Sequence, residues 1–222
     1  MPDLVKAYSI IQSLSDQHWK NIKSEEIKNI IAACTGLYLE AVSSKSEATP
    51  GSKIKIKLEA INRSNVVINW PSFLVLPTKD SKTQTILRPV NSDSFSLKNN
   101  KDITDEIEFT LPEEINYTQP YWLESVGTVG MYRVDDQSKI GLPDVIREVK
   151  VAFNLEISGI QIPFERNVVY KYNDDVLGEV YQLFDIVPEV STSVTNKVLL
   201  FNNHPINIHP LKKTLILKIL TT

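Results

Sequence analysis

Apolar side chains fall at Leu4, Ala7, Ile10, Ile11 and Leu14, the three-and-four spacing of one helical stripe, with Asp3 placed to cap it. A second stripe, Ile27, Ile30, Ile31 and Cys34, follows Ser24 as cap. Glu25 and Glu26 stand in its first turn, where carboxylates favour the positive end of the helix dipole. Gly36 marks the stop. From residue 37 the apolar period changes from helical to two.

Residues 37–42 alternate as a strand running toward the turn Thr49-Pro50-Gly51. In residues 53–62, Ile54, Ile56, Leu58 and Ala60 point one way and Lys53, Lys55, Lys57 and Glu59 the other, the pattern of a strand with one wet face. Further strand segments are predicted at 66–70, 73–76, 84–87, 94–97 and 103–111. The second half holds a hairpin, 149–157 and 160–172 around Ser158-Gly159, which sets Ile157 against Ile160, Leu155 against Ile162 and Phe153 against Phe164. The same count puts Arg166 opposite Val151 on an apolar face. A charge there needs a partner, and Asp174, Asp175 or Glu179 can supply a structural ion pair.

Residues 178–187 are apolar on both faces, which predicts a central strand, and Pro188 ends it. Strands at 190–194, 198–201 and 215–220 complete the pattern. Short, evenly spaced strands predict an all-β, immunoglobulin-like β-sandwich preceded by two short helices. The expected organisation is a helical linker over 1–36, the sandwich over 37–190 as one large or two small domains, and a further β domain or terminal strands over 191–222. The helical opening and the ending directly after a strand predict a piece of a multidomain protein.

Composition narrows the function classes. The 222 residues carry a formal charge of −3, with 42% hydrophobic and 23% charged side chains, ordinary values for a folded chain. Lys and Arg are scattered along strands, so no nucleic-acid partner is expected. No run of about 18 apolar residues predicts a membrane span, and no export signal stands at Met1. Cys34 alone builds neither an intrachain disulfide nor a thiolate zinc site, and its apolar surroundings predict a buried structural thiol.

No catalytic set, metal site or cofactor is expected. Three histidines, His18, His204 and His209, do not form a His-Glu-x-x-His helix. Seven glycines include neither a nucleophile elbow nor a phosphate loop. Asp135-Asp136 and Asp174-Asp175 read as turn residues, because neighbours on a strand point apart. Trp70, Tyr117, Tyr121, Trp122 and Tyr132 are sandwich core or, alternatively, a platform that stacks on sugar rings. Trp70, Tyr121 and Trp122 are the glycan-binding candidates. Asn62 and Asn116 begin glycosylation sequons, which matter only in a secreted eukaryotic protein.

Thr49-Pro50-Gly51, Ile61-Asn62-Arg63-Ser64, Gln119-Pro120-Tyr121-Trp122-Leu123, Ile140-Gly141-Leu142-Pro143, Gly178-Glu179-Val180-Tyr181-Gln182, Ile186-Val187-Pro188 and Val198-Leu199-Leu200-Phe201 follow one another in an order that resembles the middle, non-catalytic region of large bacterial PIG-L (LmbE-like) deacetylases. The resemblance implies an accessory β-sandwich following a zinc-dependent N-acyl-sugar deacetylase domain, in an exported parent that is periplasmic or extracellular. The His-Pro-Asp-Asp metal motif of that catalytic domain is missing from these residues. The implied role is therefore that of an accessory module that positions the catalytic domain or mediates interaction, its partners being neighbouring domains of the parent chain or a glycan.

Overall fold

The computed structural model describes residues 1–76, 84–87, 95–142, 145–194 and 215–219. Helix α1 (Pro2–Gln12) opens on a proline, whose missing amide costs nothing in a first turn. Helix α2 (Gln17–Thr35) starts earlier than Ser24 would place it, because the Asp16 carboxylate accepts the amides of His18 and Trp19. Its first turns carry no periodic signal, since Trp19 and Ile22 face solvent. At the far end Gly36 adopts φ +54°, and the Leu37 amide donates to the Ala32 carbonyl at 2.9 Å. A Cβ on Gly36 would lie 2.9 Å from that of Arg63, so a larger residue there would also displace the neighbouring loop.

Both expected stripes hold in part: Leu4, Ala7 and Ile11 of α1 pack against the core, but the buried faces are turned somewhat from them. Val5 and Tyr8 of α1 and Ile27 and Ile31 of α2 enter the core, whereas Ile10 and Ile30 are exposed. Cys34 is exposed too, so the buried thiol expected from its apolar neighbours is corrected. Thr35 takes the inward place, returning its hydroxyl to the Ile31 carbonyl at 2.8 Å.

The strands are β1 (Tyr38–Ser43), β2 (Glu47–Ala48), β3 (Lys53–Ile61), β4 (Ile68–Leu76), β5 (Gln84–Leu87), β6 (Asp102–Thr110), β7 (Lys150–Ile157), β8 (Ile160–Asn167), β9 (Val169–Asp174), β10 (Gly178–Leu183), β11 (Asp185–Ile186), β12 (Val190–Val194) and β13 (Leu215–Ile219). One sheet runs β10-β9-β1-β3-β6 and another β5-β4-β7-β8, with β11-β2 and β12-β13 as two-stranded pairs. In β3 the alternation is complete: Ile54, Ile56, Leu58 and Ala60 are buried while Lys53, Lys55 and Lys57 are exposed. The lysines face β6 carboxylates, Lys53 with Glu108 at 3.0 Å. The β7–β8 hairpin pairs Ile157 with Ile160, Leu155 with Ile162, Phe153 with Phe164 and Val151 with Arg166. Its turn uses positive φ at both Ser158 and Gly159, the geometry that matches strand twist.

Three predicted strands take a different course. Segments 66–70 and 73–76 belong to one strand, β4, whose register shifts against β7 between Asn69 and Ser72, around Trp70 and Pro71. Proline has no amide to give a ladder, and a bulge tolerates it. The segment 160–172 splits at buried Val168: β8 ends in the four-stranded sheet and β9 begins in the five-stranded one. There β9 lies parallel to β1, Val42 beside Val169 and Ser43 beside Tyr170.

That crossover and the helices overturn the all-β, immunoglobulin-like expectation. The chain has mixed α/β content and a mixed parallel and antiparallel sheet. Among the described residues a hydrophobic core takes side chains from both helices and both large sheets. The strand expected to be central, 178–187, is corrected as well: β10 is the edge of its sheet, and Tyr181 and Leu183 are exposed. The expected strand 198–201, His204 and His209 lie outside the described residues. No helix among the described residues is long and apolar enough to cross a membrane.

Candidate functional site

Between β6 and β7 the chain makes a long excursion, residues 111–149, which among the described residues has two short 3-10 turns, Tyr121–Leu123 and Gln137–Lys139, and no strand of its own. Loops of this length in a folded domain are commonly functional. Its base is tied down. Leu111 donates to the Ser52 carbonyl at 2.9 Å, and Ile115 is buried. Asn116 donates to Glu148 at 2.8 Å. Thr118 and Ile186 exchange two bonds of 2.8 Å, and Arg147 forms an ion pair with Asp185 of β11.

The outer part holds itself by short-range polar contacts. Asp135 accepts from Arg133 at 2.7 Å and Ser125 at 3.0 Å, which keeps its carboxyl below the usual range. Asp136 accepts the hydroxyl and amide of Ser138, with the same effect. Lys139 pairs with Glu124 at 2.6 Å. The two aspartates are thus engaged as local caps facing different partners.

A turn from Thr128 to Met131 closes through two backbone bonds, of 3.0 and 3.3 Å, with Gly130 at φ +83°. Gly127 lies so close to it that a Cβ would fall 2.6 Å from the Met131 carbonyl oxygen. Beside this turn opens a cleft of about 440 Å³, lined by Trp122, Leu123, Ser125, Gly127, Thr128, Gly130, Met131 and Tyr132. That volume suits a ligand or an anchoring side chain. No lining side chain is charged. Tyr121 meets Trp122 edge-on at 5.0 Å, and Tyr132 lies 6.5 Å from Trp122. Around the cleft, Leu123, Val126, Val129, Met131 and Tyr132 are exposed.

The three aromatic candidates therefore separate. Tyr121 and Trp122 are half-buried side by side at the cleft, whereas Trp70 is fully buried against Phe73 and Phe153. Met131, Ser125 and Thr128 were not singled out by sequence, although Gly127 and Gly130 flanking Thr128-Val129 signal the turn that gathers them.

The ion-pair candidates also go different ways. Arg166 sits half-buried and donates to the Glu165 carbonyl at 2.8 Å. Burial lowers its pKa, countered by the field of Glu25 on α2. Asp174 caps the β9–β10 turn, accepting the Val176 and Leu177 amides at 2.8 and 2.9 Å. Glu179 binds Lys171 at 3.1 Å, and Lys171 also reaches Glu40 at 2.8 Å. Among the described residues no three His, Cys, Asp or Glu side chains gather as a metal site.

No family model matches this chain, and no curated protein matches it. Among solved structures it overlaps the sporulation control protein Spo0M of Bacillus subtilis, at 14% identity and TM-score 0.29, over 59% of this chain and 47% of that one. It also overlaps the alkylpurine DNA glycosylase AlkC of Pseudomonas fluorescens, solved bound to DNA containing an abasic site analogue. There the identity is 9% and the TM-score 0.31, over 72% of this chain and 41% of the other. The chain spans less than half the length of either protein, and overlaps this partial assign no shared fold. Neither is a PIG-L deacetylase.

Proposed function

We propose that the chain is a non-catalytic interaction module and that the excursion between β6 and β7 is its recognition element. The supporting observation is the gathering of exposed Leu123, Val126, Val129 and Met131 around the uncharged cleft of Trp122 and Tyr132, on a loop whose base is pinned. Exposed apolar clusters of this kind mark interaction sites, and Trp, Tyr and Met are residues that interfaces favour. Covering one such aliphatic side chain is worth about 1.5–3 kcal/mol. A rim ion pair such as Lys139–Glu124 is worth at most about 1 kcal/mol. The apolar tip therefore dominates, and a pinned base reduces the ordering cost of binding.

The partner that fits this reading is a neighbouring domain of a larger parent, as the resemblance to LmbE-like deacetylases implies. Val129→Asp with Met131→Asp should abolish binding of the parent's adjoining domain in calorimetry while leaving the fold intact. Unchanged binding would remove the excursion from the interface.

A second reading, glycan binding, draws on the cleft's chemistry: aromatic rings with the hydroxyls of Ser125 and Thr128 and no charge suit a neutral sugar. A glycan array probed with the wild type and Trp122→Ala tests it. Binding lost in the variant supports the reading, and no bound glycan ends it.

A further inference from the structure

The edges of the two large sheets are not equally protected. Strand β6 carries four acidic side chains, Asp102, Asp105, Glu106 and Glu108, of which β3 lysines meet Glu106 and Glu108, so a second copy of the same edge would still set a row of carboxylates against its like. Strand β8 carries Pro163, which cannot donate to a ladder. Strand β10, Gly-Glu-Val-Tyr-Gln-Leu, has no proline, no basic residue and no register shift against β9. Every residue in it except Val180 is exposed. Among the described residues its backbone bonds only to β9, so its outer edge presents free donors and acceptors. Proteins ordinarily blunt such edges with charge, proline or bulges.

We propose that β10 is a dimerisation edge, at which two copies of this chain pair antiparallel through Gly178–Leu183 to join their five-stranded sheets. Charge favours a second copy. The one ionised side chain of the strand, Glu179, is neutralised by Lys171 at 3.1 Å. A two-fold axis normal to the sheet keeps each face on its own side. Centred on Tyr181, it sets Val180 beside Gln182 of the second copy and Glu179 beside Leu183. The two Glu179 carboxylates then stand about 14 Å apart along the strands at ~3.4 Å per residue, beyond the ~8 Å screening length of physiological salt. Tyr181 and Leu183, now exposed, gain cross-strand partners on the outer face.

Sedimentation velocity of the full chain over a wide concentration range tests the pairing, with circular dichroism to establish that each variant is folded. The wild type should form a dimer. Val180→Lys with Gln182→Lys places like charges opposite one another and should leave only monomer. Val180→Glu with Gln182→Lys restores opposite charges and should restore the dimer. A wild type that stays monomeric throughout, or a dimer that survives the double-lysine variant, would overturn the proposal.

Discussion

Lys171 on β9 lies 2.8 Å from Glu40 on β1 and also contacts Glu179 on β10 at 3.1 Å, so one ammonium ties three adjacent strands together. Strands β9 and β1 share only two register pairs, Val42 with Val169 and Ser43 with Tyr170. The clasp therefore adds to the attachment of the β9–β10 hairpin, beside the Tyr38 hydroxyl's bonds with Tyr181 and Glu40. The Glu40 side chain is only 8% exposed, and removing its partner leaves a buried carboxylate. Lys171→Met should cost about 2–3 kcal/mol in urea unfolding, whereas Lys171→Met with Glu40→Leu should cost less than the single change. Equal losses in both would show that the pair is not coupled.

Stability should be level between about pH 5 and pH 10 and fall on either side. Burial, then hydrogen bonds with Tyr181 and Glu40, pushes the Tyr38 phenol well above its ordinary value. The bond to Glu40 raises Lys171 likewise. Groups raised on folding give stability that is fully present below the unfolded pKa and lost as pH climbs above about 10. The Leu177 and Val176 amides lower Asp174, and Lys171 followed by Tyr181 lowers Glu179. Their contribution is present above about pH 4.5 and is lost as pH falls through the folded values. In a series of melts, Tyr38→Phe should flatten the alkaline limb; an alkaline limb identical to the wild type's would contradict the assignment.

Asn62 is fully buried, with its amide donating to the Val66 and Leu97 carbonyls at 2.8 and 3.0 Å and its oxygen accepting from the Ser64 amide and hydroxyl. Asn62→Ala should cost about 1–3 kcal/mol, because it strands buried carbonyls. The same engagement should keep the Asn62 sequon unmodified in the folded chain. Mass spectrometry after expression in a glycosylating host checks this, and occupancy at Asn62 would count against it.

Trp70→Ala should destabilise the chain by about 3–5 kcal/mol, the range for emptying a large aromatic site. Its ring packs 5.2 Å from Phe153 and 6.1 Å from Phe73. If denaturant unfolding moved by less than 1 kcal/mol, Trp70 would not be a central core residue.

Gly127→Ala should act on recognition and hardly on stability. Its new Cβ meets the Met131 carbonyl at 2.6 Å, so the turn that shapes the cleft must open. Being on the surface, it should change unfolding by no more than about 0.5 kcal/mol, while partner affinity falls severalfold. A large drop in melting temperature would show that the turn supports the core.

Local patterns along the chain were legible where one rule governed them. Alternation identified β3 because one face meets the core and the other meets β6 carboxylates. The Ser158-Gly159 turn set the β7–β8 register through backbone twist. Pairing between distant segments was not legible: nothing in residues 160–172 announces that the chain changes sheets at Val168, or that β9 then runs parallel to β1. Apolar side chains on both faces of 178–187 suggest a central strand, yet Tyr181 and Leu183 are exposed at an edge. Helix faces were misread because Thr35 and the stem of Lys28 take inward places that an apolar stripe gives to Cys34 and Ile30. At the cleft, Tyr121 and Trp122 were visible as aromatics, but their environment depends on how residues 111–149 fold back. That depends on Thr118 and Arg147 meeting β11, contacts far apart in the chain.

The most direct test of the proposed recognition element is hydrogen–deuterium exchange on the chain with and without the partner domain proposed for it. Binding through the excursion predicts slowed exchange at residues 121–132, including the Thr128–Met131 turn, with the β3 and β7 amides unchanged. Protection confined to other surfaces, with 121–132 exchanging as fast as in the free chain, would contradict the account.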